Sequence, residues 1–294
     1  MKRIVFLVAV AAGIVACDKV EKPYQIKSVE VGIDTPSFPA LEAGSVVQKY
    51  LFEDYTGHLC TNCPDGARIL KELKAAMGDT LIVMAVHAGV DAMVKPNPSE
   101  KGCSYGYAAD YRTPAGNEYA STFNVKVNPS GMLNRTKFKG NPVLEGTTDW
   151  ASSLNSIERK PPTICIQIIP IYSKDMAYVF VKTTLLADMP NKLRLCAVLA
   201  ESGIIAPQKN GKPSIGDIPD ICDYEHNHVL RTAITSAWGD AVDLSQKNDT
   251  IINAYALPFT EKSWKKENCG IIVYIYDDDT KEILQVEEAA LLEE

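Results

Sequence analysis

Hydrophobic positions change their period partway along the chain, and the change separates two kinds of architecture. From Val46 to Tyr55 the residues alternate, with Tyr50, Phe52 and Asp54 on one face and Leu51, Glu53 and Tyr55 on the other, which predicts a strand. After a short turn, Ile69, Leu70, Leu73, Ala76 and Met77 recur at i, i+3, i+4 spacing while Lys71, Glu72 and Lys74 face away, which predicts an amphipathic helix. Pro64 suits its first turn and Gly78 its stop. Thr80 to His87 is apolar almost throughout, as in a parallel strand covered on both faces.

Residues 88–116 are polar and form a long insertion with Cys103 and a group of tyrosines. A short helix is expected around Asn117 to Phe123, a strand leaving directly from Pro129, and a closing helix over Asp149 to Arg159. Lys160-Pro161-Pro162 reads as a linker. Beyond it the period becomes two: Ile164 to Ile171, Ala177 to Ala187, Leu193 to Glu201, His228 to Ser236, Ile251 to Leu257 and Gly270 to Tyr276 predict strands separated by turns. The expected organisation is an α/β domain over 46–160 followed by an all-β, immunoglobulin-like sandwich domain over 161–294.

Composition changes little in this picture. A chain of 294 residues suffices for two domains, and 46% hydrophobic with 23% charged residues is ordinary for a globular protein. The net charge of −7, without a cluster of Lys and Arg, argues against nucleic acid as a partner. No Ser-His-Asp constellation or Gly-rich phosphate loop stands out, so hydrolase and nucleotide-binding classes carry little weight and no cofactor is expected.

The first residues bear on location. Lys2 and Arg3 precede an apolar run from Ile4 to Val15 that is too short to span a bilayer and is shaped like a secretory signal. It ends on Ile14-Val15-Ala16-Cys17, which resembles a bacterial lipobox. The expectation is therefore a signal peptide over 1–16, a lipidated Cys17 and a tether over 17–45, with the membrane as a partner through the lipid anchor. In such an oxidising compartment disulfides persist, and the seven of the 8 cysteines that remain beside Cys17 leave at least one thiol unpaired within the chain.

The candidate chemistry lies between the first strand and first helix, where Cys60 and Cys63 are spaced C-x-x-C. A thiol at a helix N-terminus is favoured as thiolate by unpaired backbone N–H groups, and a partner three residues on can close a small ring. One sulfur can then attack a substrate and the other resolve the mixed disulfide. Asp54, six residues before Cys60, is a carboxylate on an otherwise buried strand.

The strand, C-x-x-C turn, helix, strand and Val127-Asn128-Pro129 step together resemble the thioredoxin fold over roughly Val46 to Arg159. That resemblance implies a cis Pro129 against the disulfide, and Asp54 as the buried acid that takes a proton from the second cysteine. More narrowly, Glu53-Asp54-Tyr55-Thr56-Gly57-His58, Asn62-Cys63-Pro64, the run Arg112 to Tyr119, and His226-Asn227-His228-Val229-Leu230-Arg231 resemble the Gram-negative outer-membrane lipoprotein family "outer membrane protein twenty-eight". The family implies a thioredoxin-like domain joined to a β-rich one, on the periplasmic face or the cell surface. Leu59 stands where thioredoxins usually carry Trp, Thr61-Asn62 replaces their usual central pair, and Asn128 precedes the proline.

Two readings stay open. In one, the protein is an extracytoplasmic thiol-disulfide oxidoreductase with a protein thiol or disulfide partner: Cys60 attacks, Cys63 resolves, Asp54 accepts a proton and Pro129 shapes the groove. In the other, Cys60–Cys63 is a static disulfide and the β-domain binds a protein or glycan. A metal site drawn from Cys222, His226 and His228 is a third reading, but a single C-x-x-C falls short of a closed zinc site and no metal is expected. His58 is a candidate for tuning Cys60. Cys165, Cys196, Cys222 and Cys269 are candidates for one or two bridges within the sandwich.

Overall fold

A computed structural model describes residues 33–292, apart from 43, 101, 105, 191 and 261. The signal peptide, Cys17, most of the tether and Tyr105 lie outside the described residues. The molecule is β-rich with a few short helices and mixed sheets. Among the described residues no helix is long and apolar enough to cross a membrane.

The first strand, β1 (Tyr50–Thr56), starts later than its alternation suggests, because Gln48 and Lys49 are held by side-chain hydrogen bonds to Gln285 rather than by a ladder. Helix α1 (Cys63–Met77) begins on the second cysteine, with Pro64 in its first turn. Strand β2 (Leu81–His87) is buried at every position and runs parallel to β1. The insertion contains α2 (Asp91–Val94) and leads into α3 (Pro114–Thr122), which Thr113 caps by accepting a hydrogen bond from the Gly116 amide. Strands β3 (Ser130–Leu133) and β4 (Leu144–Glu145) follow, β3 leaving directly from a cis Asn128–Pro129 bond.

The closing helix is shorter than expected, with α4 covering only Trp150–Asn155. Ser152, Ser153 and Ser156 each turn a hydroxyl back onto the carbonyl three residues earlier, which competes with helix continuation.

Six of the later strands fall where period two places them: β5 (Ile164–Ser173), β6 (Met176–Leu185), β7 (Leu193–Glu201), β10 (Val229–Ala233), β12 (Thr250–Pro258) and β13 (Cys269–Asp277). Four others carry no clear alternation: β8 (Ile204–Lys209), β9 (Asp220–His226), β11 (Asp240–Val242) and β14 (Ile283–Ala290).

The large sheet runs β14-β13-β7-β10-β2-β1-β3-β4, with β11 also pairing β7. Strand β10 pairs parallel to β2 through Val229 and Ala85, so the two halves of the chain share one sheet. One face carries a continuous core from Ile272, Tyr274 and Val198 to Met84, Leu51 and Tyr119 of α3. The other face is covered at one end by the β12-β6-β5 sheet, as in sheet-on-sheet packing. At its other end α1 and α4 cover it, with Leu70 and Trp150 over Phe52 and Val83. The β8–β9 hairpin forms a separate two-stranded sheet.

Beneath α3, Arg135 is fully buried and forks onto Glu53, with both N–O distances 2.8 Å. Its guanidinium lies 5.0 Å from the Tyr119 ring centre and 5.2 Å from that of Tyr274, so aromatic faces take up the charge that water would otherwise solvate. Removing one member of a buried pair strands the other. Arg135→Met should therefore lower stability by about 3–5 kcal/mol in denaturant unfolding, and joint replacement of Glu53 and Arg135 by apolar residues should cost markedly less.

Candidate functional site

The disulfide. Cys60 and Cys63 are joined, with Cα atoms 5.4 Å apart. The turn before α1 is built by backbone bonds: the Cys60 amide donates to Gly57 O at 3.1 Å, and the Leu59 amide to Met93 O at 3.0 Å. Gly57 allows the latter approach, since a Cβ there would stand 2.3 Å from Met93 O.

The hairpin closes over this turn. The Lys209 amide donates to His58 O at 2.8 Å and the Gly211 amide to Thr61 O at 2.9 Å. The Gln208 side-chain amide donates to Gly57 O at 3.2 Å and to Cys60 O at 3.0 Å. An ion pair joins Lys212 to Asp65 in the first turn of α1. Cys60 and Cys63 are left only 1% and 2% exposed.

The second disulfide, Cys103–Cys222, ties the insertion to β9 across 119 residues. The expectation of bridges within the sandwich is thus corrected: Cys222 pairs outside it, and Cys165, Cys196 and Cys269 are separate buried thiols. With its sulfur in a disulfide, Cys222 offers no thiolate beside His226 and His228. Beside the disulfide, Asp220 accepts hydrogen bonds from Tyr107 OH and from Lys209 Nζ, the latter at 3.0 Å. Gly102 is required there, since a Cβ would lie 2.0 Å from Asp220 Oδ2.

Asp54 lies on the α1 side of β1, 4% exposed, and its Oδ1 has no hydrogen-bond partner. Burial alone pushes its carboxyl up to about 7. Pro129 sits against the start of α1: a Cβ built on Gly66 would be 3.5 Å from Pro129 Cβ and 2.9 Å from Trp150 Cη2. The structure therefore gathers Cys60, Cys63, Asp54 and Pro129 around one helix start.

Beside them lies an aromatic and imidazole cluster; the sequence pointed to His58, His226 and the tyrosines of the insertion, but not to His87 or Tyr224. The His87 ring is 4.9 Å from Tyr111 and 5.9 Å from His226, and His226 is 4.8 Å from Tyr224. His58 joins through Tyr111 at 5.8 Å and donates from Nε2 to Lys95 O. Neither ring nitrogen of His87 has a partner, nor does Nε2 of His226. Burial holds His87 well below the ordinary histidine value and His226 down at about 4, so both are neutral imidazoles near neutral pH. The one local signal for His87 was a polar side chain ending an apolar strand; Gln208 had none.

A cleft of about 790 Å³ opens between α1 and the segment Tyr224–His228, with Asp54, Val83, Ala85 and His87 on its floor. Among the described residues no cluster suited to holding a metal ion is found.

Fold and site together define a β-rich protein with a helix-start C-x-x-C disulfide closed under a hairpin that a second disulfide secures. The family model of Outer membrane protein Omp28 matches residues 116–294, more than half of the chain, and the chain belongs to this family of outer-membrane proteins. The match contains the hairpin, Pro129 and Cys222 but not Cys60–Cys63.

A crystallised domain of the outer membrane lipoprotein Omp28 from Porphyromonas gingivalis is similar at 21% identity, covering 46% of this chain and 93% of that one, with a TM-score of 0.30. A structural-genomics protein from Agrobacterium tumefaciens is similar at 12% identity, covering 85% of this chain and 97% of that one, with a TM-score of 0.47. No curated protein matches.

Two outcomes follow for stability. Asp54 has a folded-state value of about 7, above the unfolded one, so folding takes up a proton between about pH 4 and pH 7 and this group costs stability as pH rises through that window. Asp54→Asn should thus stabilise the protein relative to wild type at pH 8 by up to ~4 kcal/mol, with the difference vanishing near pH 4 in parallel unfolding titrations. Replacing Cys103 and Cys222 together by Ser should cost about 2–5 kcal/mol in unfolding, by freeing a long loop of the unfolded chain.

Proposed function

We propose that residues 46–160 form a thioredoxin-like unit that carries out thiol-disulfide exchange outside the cytoplasm, on an outer-membrane lipoprotein anchored through Cys17. Cys60 and Cys63 are the pair that cycles, Asp54 takes and returns the proton, and Pro129 flanks the exchange. Residues 161–294, read as an immunoglobulin-like sandwich, contribute the hairpin that covers the pair.

The observation that carries this reading is a disulfide at the start of α1 with an unpartnered buried carboxyl beside it, pushed up to about 7. A staple needs no such group, and a desolvated acid without a partner costs stability that a purely structural site has no reason to bear. The order of elements supports the fold assignment: β2-β1-β3-β4, with β1 and β2 parallel, β3 antiparallel and a cis proline opening β3. The near-complete burial of Cys60 favours the second reading, a static disulfide.

Alkylation of free thiols and mass spectrometry across glutathione redox buffers separates the two. Under exchange the pair titrates above about −300 mV, and the Cys60→Ser/Cys63→Ser protein fails to reduce a test disulfide that wild type reduces. A potential below that range, or equal activity of the double variant, sinks the exchange reading in favour of the staple.

A further inference from the structure

The two sulfurs of the pair meet different surroundings. Cys60 is closed in by Gln208 on its carbonyl, by the Leu59–Met93 bond and by the Lys209 and Gly211 amides on the turn around it. It does not line the cleft. Cys63 does, together with Ala67 and Leu70 of α1, and the space beside it runs down to Asp54 and His87. A volume of about 790 Å³ suits a small molecule, and a cleft of that size between a helix and a hairpin does not admit a folded partner.

The floor asks for a polar occupant. Asp54 Oδ1, both ring nitrogens of His87 and Nε2 of His226 are buried without partners, whereas buried polar atoms are nearly always paired. All three residues line the cleft. Neutral His87 offers one donor and one acceptor, and His226, whose other ring nitrogen is bonded to the Ala206 and Pro207 backbone, offers Nε2 as an acceptor, a set that matches a molecule able both to donate and to accept, such as an amide or an amino acid. Apolar Ala67, Leu70, Val83 and Ala85 supply part of the wall, and Arg68, Lys71, Lys74 and Glu225 bring charge to it.

We infer that this cleft binds a low-molecular-weight polar thiol and delivers it to Cys63, making Cys63 rather than Cys60 the sulfur at which the disulfide is opened. The assignment rests on the reading that the pair cycles and names its reductant. A thiolate RS⁻ attacks Cys63 Sγ; the Cys60–Cys63 bond breaks with its electron pair leaving on Cys60, and a new bond joins R–S to Cys63. A second RS⁻ attacks the sulfur of the bound R group, releasing RSSR and Cys63 as thiolate. The protons given up by the two RSH end on Cys60 and Cys63, so two thiols are oxidised and one disulfide reduced.

Glutathione and its disulfide serve as probes on the full chain. Cys63 in Cys60→Ser should form the mixed disulfide with oxidised glutathione at least tenfold faster than Cys60 does in Cys63→Ser, with the site read by peptide mass. Ala67→Trp, which fills the cleft, should slow Cys63 in the first background at least tenfold and leave Cys60 in the second unchanged. Reduction of the wild-type disulfide should saturate with glutathione concentration. Cys60 reacting first, no effect of Ala67→Trp, or a rate that rises linearly without limit overturns the cleft assignment alone. A disulfide that glutathione does not reduce overturns the cycling reading and this step with it.

Discussion

The parallel register of β1 on β2 is the constraint from which the site follows. Asp54 pairs with Ala85 and Thr56 with His87, so the acid, the floor of the cleft and the central imidazole occupy neighbouring positions on one face. A slip of one residue would send that set into the opposite core, where Leu51, Tyr55, Met84 and Val86 pack. The same register presents Ala85 to the chain that follows β9: its amide donates to His228 O at 2.8 Å, and Val229 then extends the sheet as β10. The hairpin preceding β10 is thereby fixed over the helix start, and the C-terminal half of the chain becomes part of the surroundings of the Cys60–Cys63 disulfide.

Closure of that site is distributed. Backbone amides of Lys209 and Gly211, the Gln208 side chain, the Lys212–Asp65 pair and the Cys103–Cys222 disulfide all hold the hairpin and its neighbours to the turn. A surface ion pair is worth little alone, and a single neutral hydrogen bond contributes about 1 kcal/mol. The covalent tie differs in kind, because it limits the unfolded chain and sets where β9 lies against the insertion. Tyr107, Asp220 and Lys209 add a partly buried polar network at the same seam, so the long insertion, expected as a loop, is tethered at its centre.

Much of this was legible locally. Leu193–Glu201 has its observed bounds because the run is apolar on both faces, and α1 begins where Cys63-Pro64 and the stripe of Ile69, Leu70 and Leu73 put it. Asp54 was visible as the polar member of one face of an alternating strand. What failed to show was non-local. The pairing of Cys103 with Cys222 has no trace in spacing, and β8 and β9, with Pro207 and several charged residues, lack an apolar face because their partners are each other and a turn rather than a core. Gln208 acquires its role only from the carbonyls it meets in the fold. The helix over 149–159 shortened for a readable reason, the serines, whose backbone bonding competes with the stripe of Trp150, Leu154 and Ile157.

Electrostatics join the cover to the chemistry. Several basic groups near it are committed elsewhere: Arg68 and Lys212 pair with Asp65, Lys74 donates to Leu81 O, and Arg135 pairs with Glu53 in the opposite core. The value of about 7 at Asp54 thus comes from dryness alone, with no cation pulling it down. Neighbouring imidazoles cannot assume that task, since the same dryness keeps His87 and His226 neutral. The proton affinity of Asp54 is therefore a property of whatever covers it, namely α1 and the Tyr224–His228 segment. Whatever admits water to the cleft lowers it, and a polar molecule seated there changes it according to whether it donates to Oδ1 or accepts from the protonated acid. What fills the cleft and the proton affinity of Asp54 are in this way one variable.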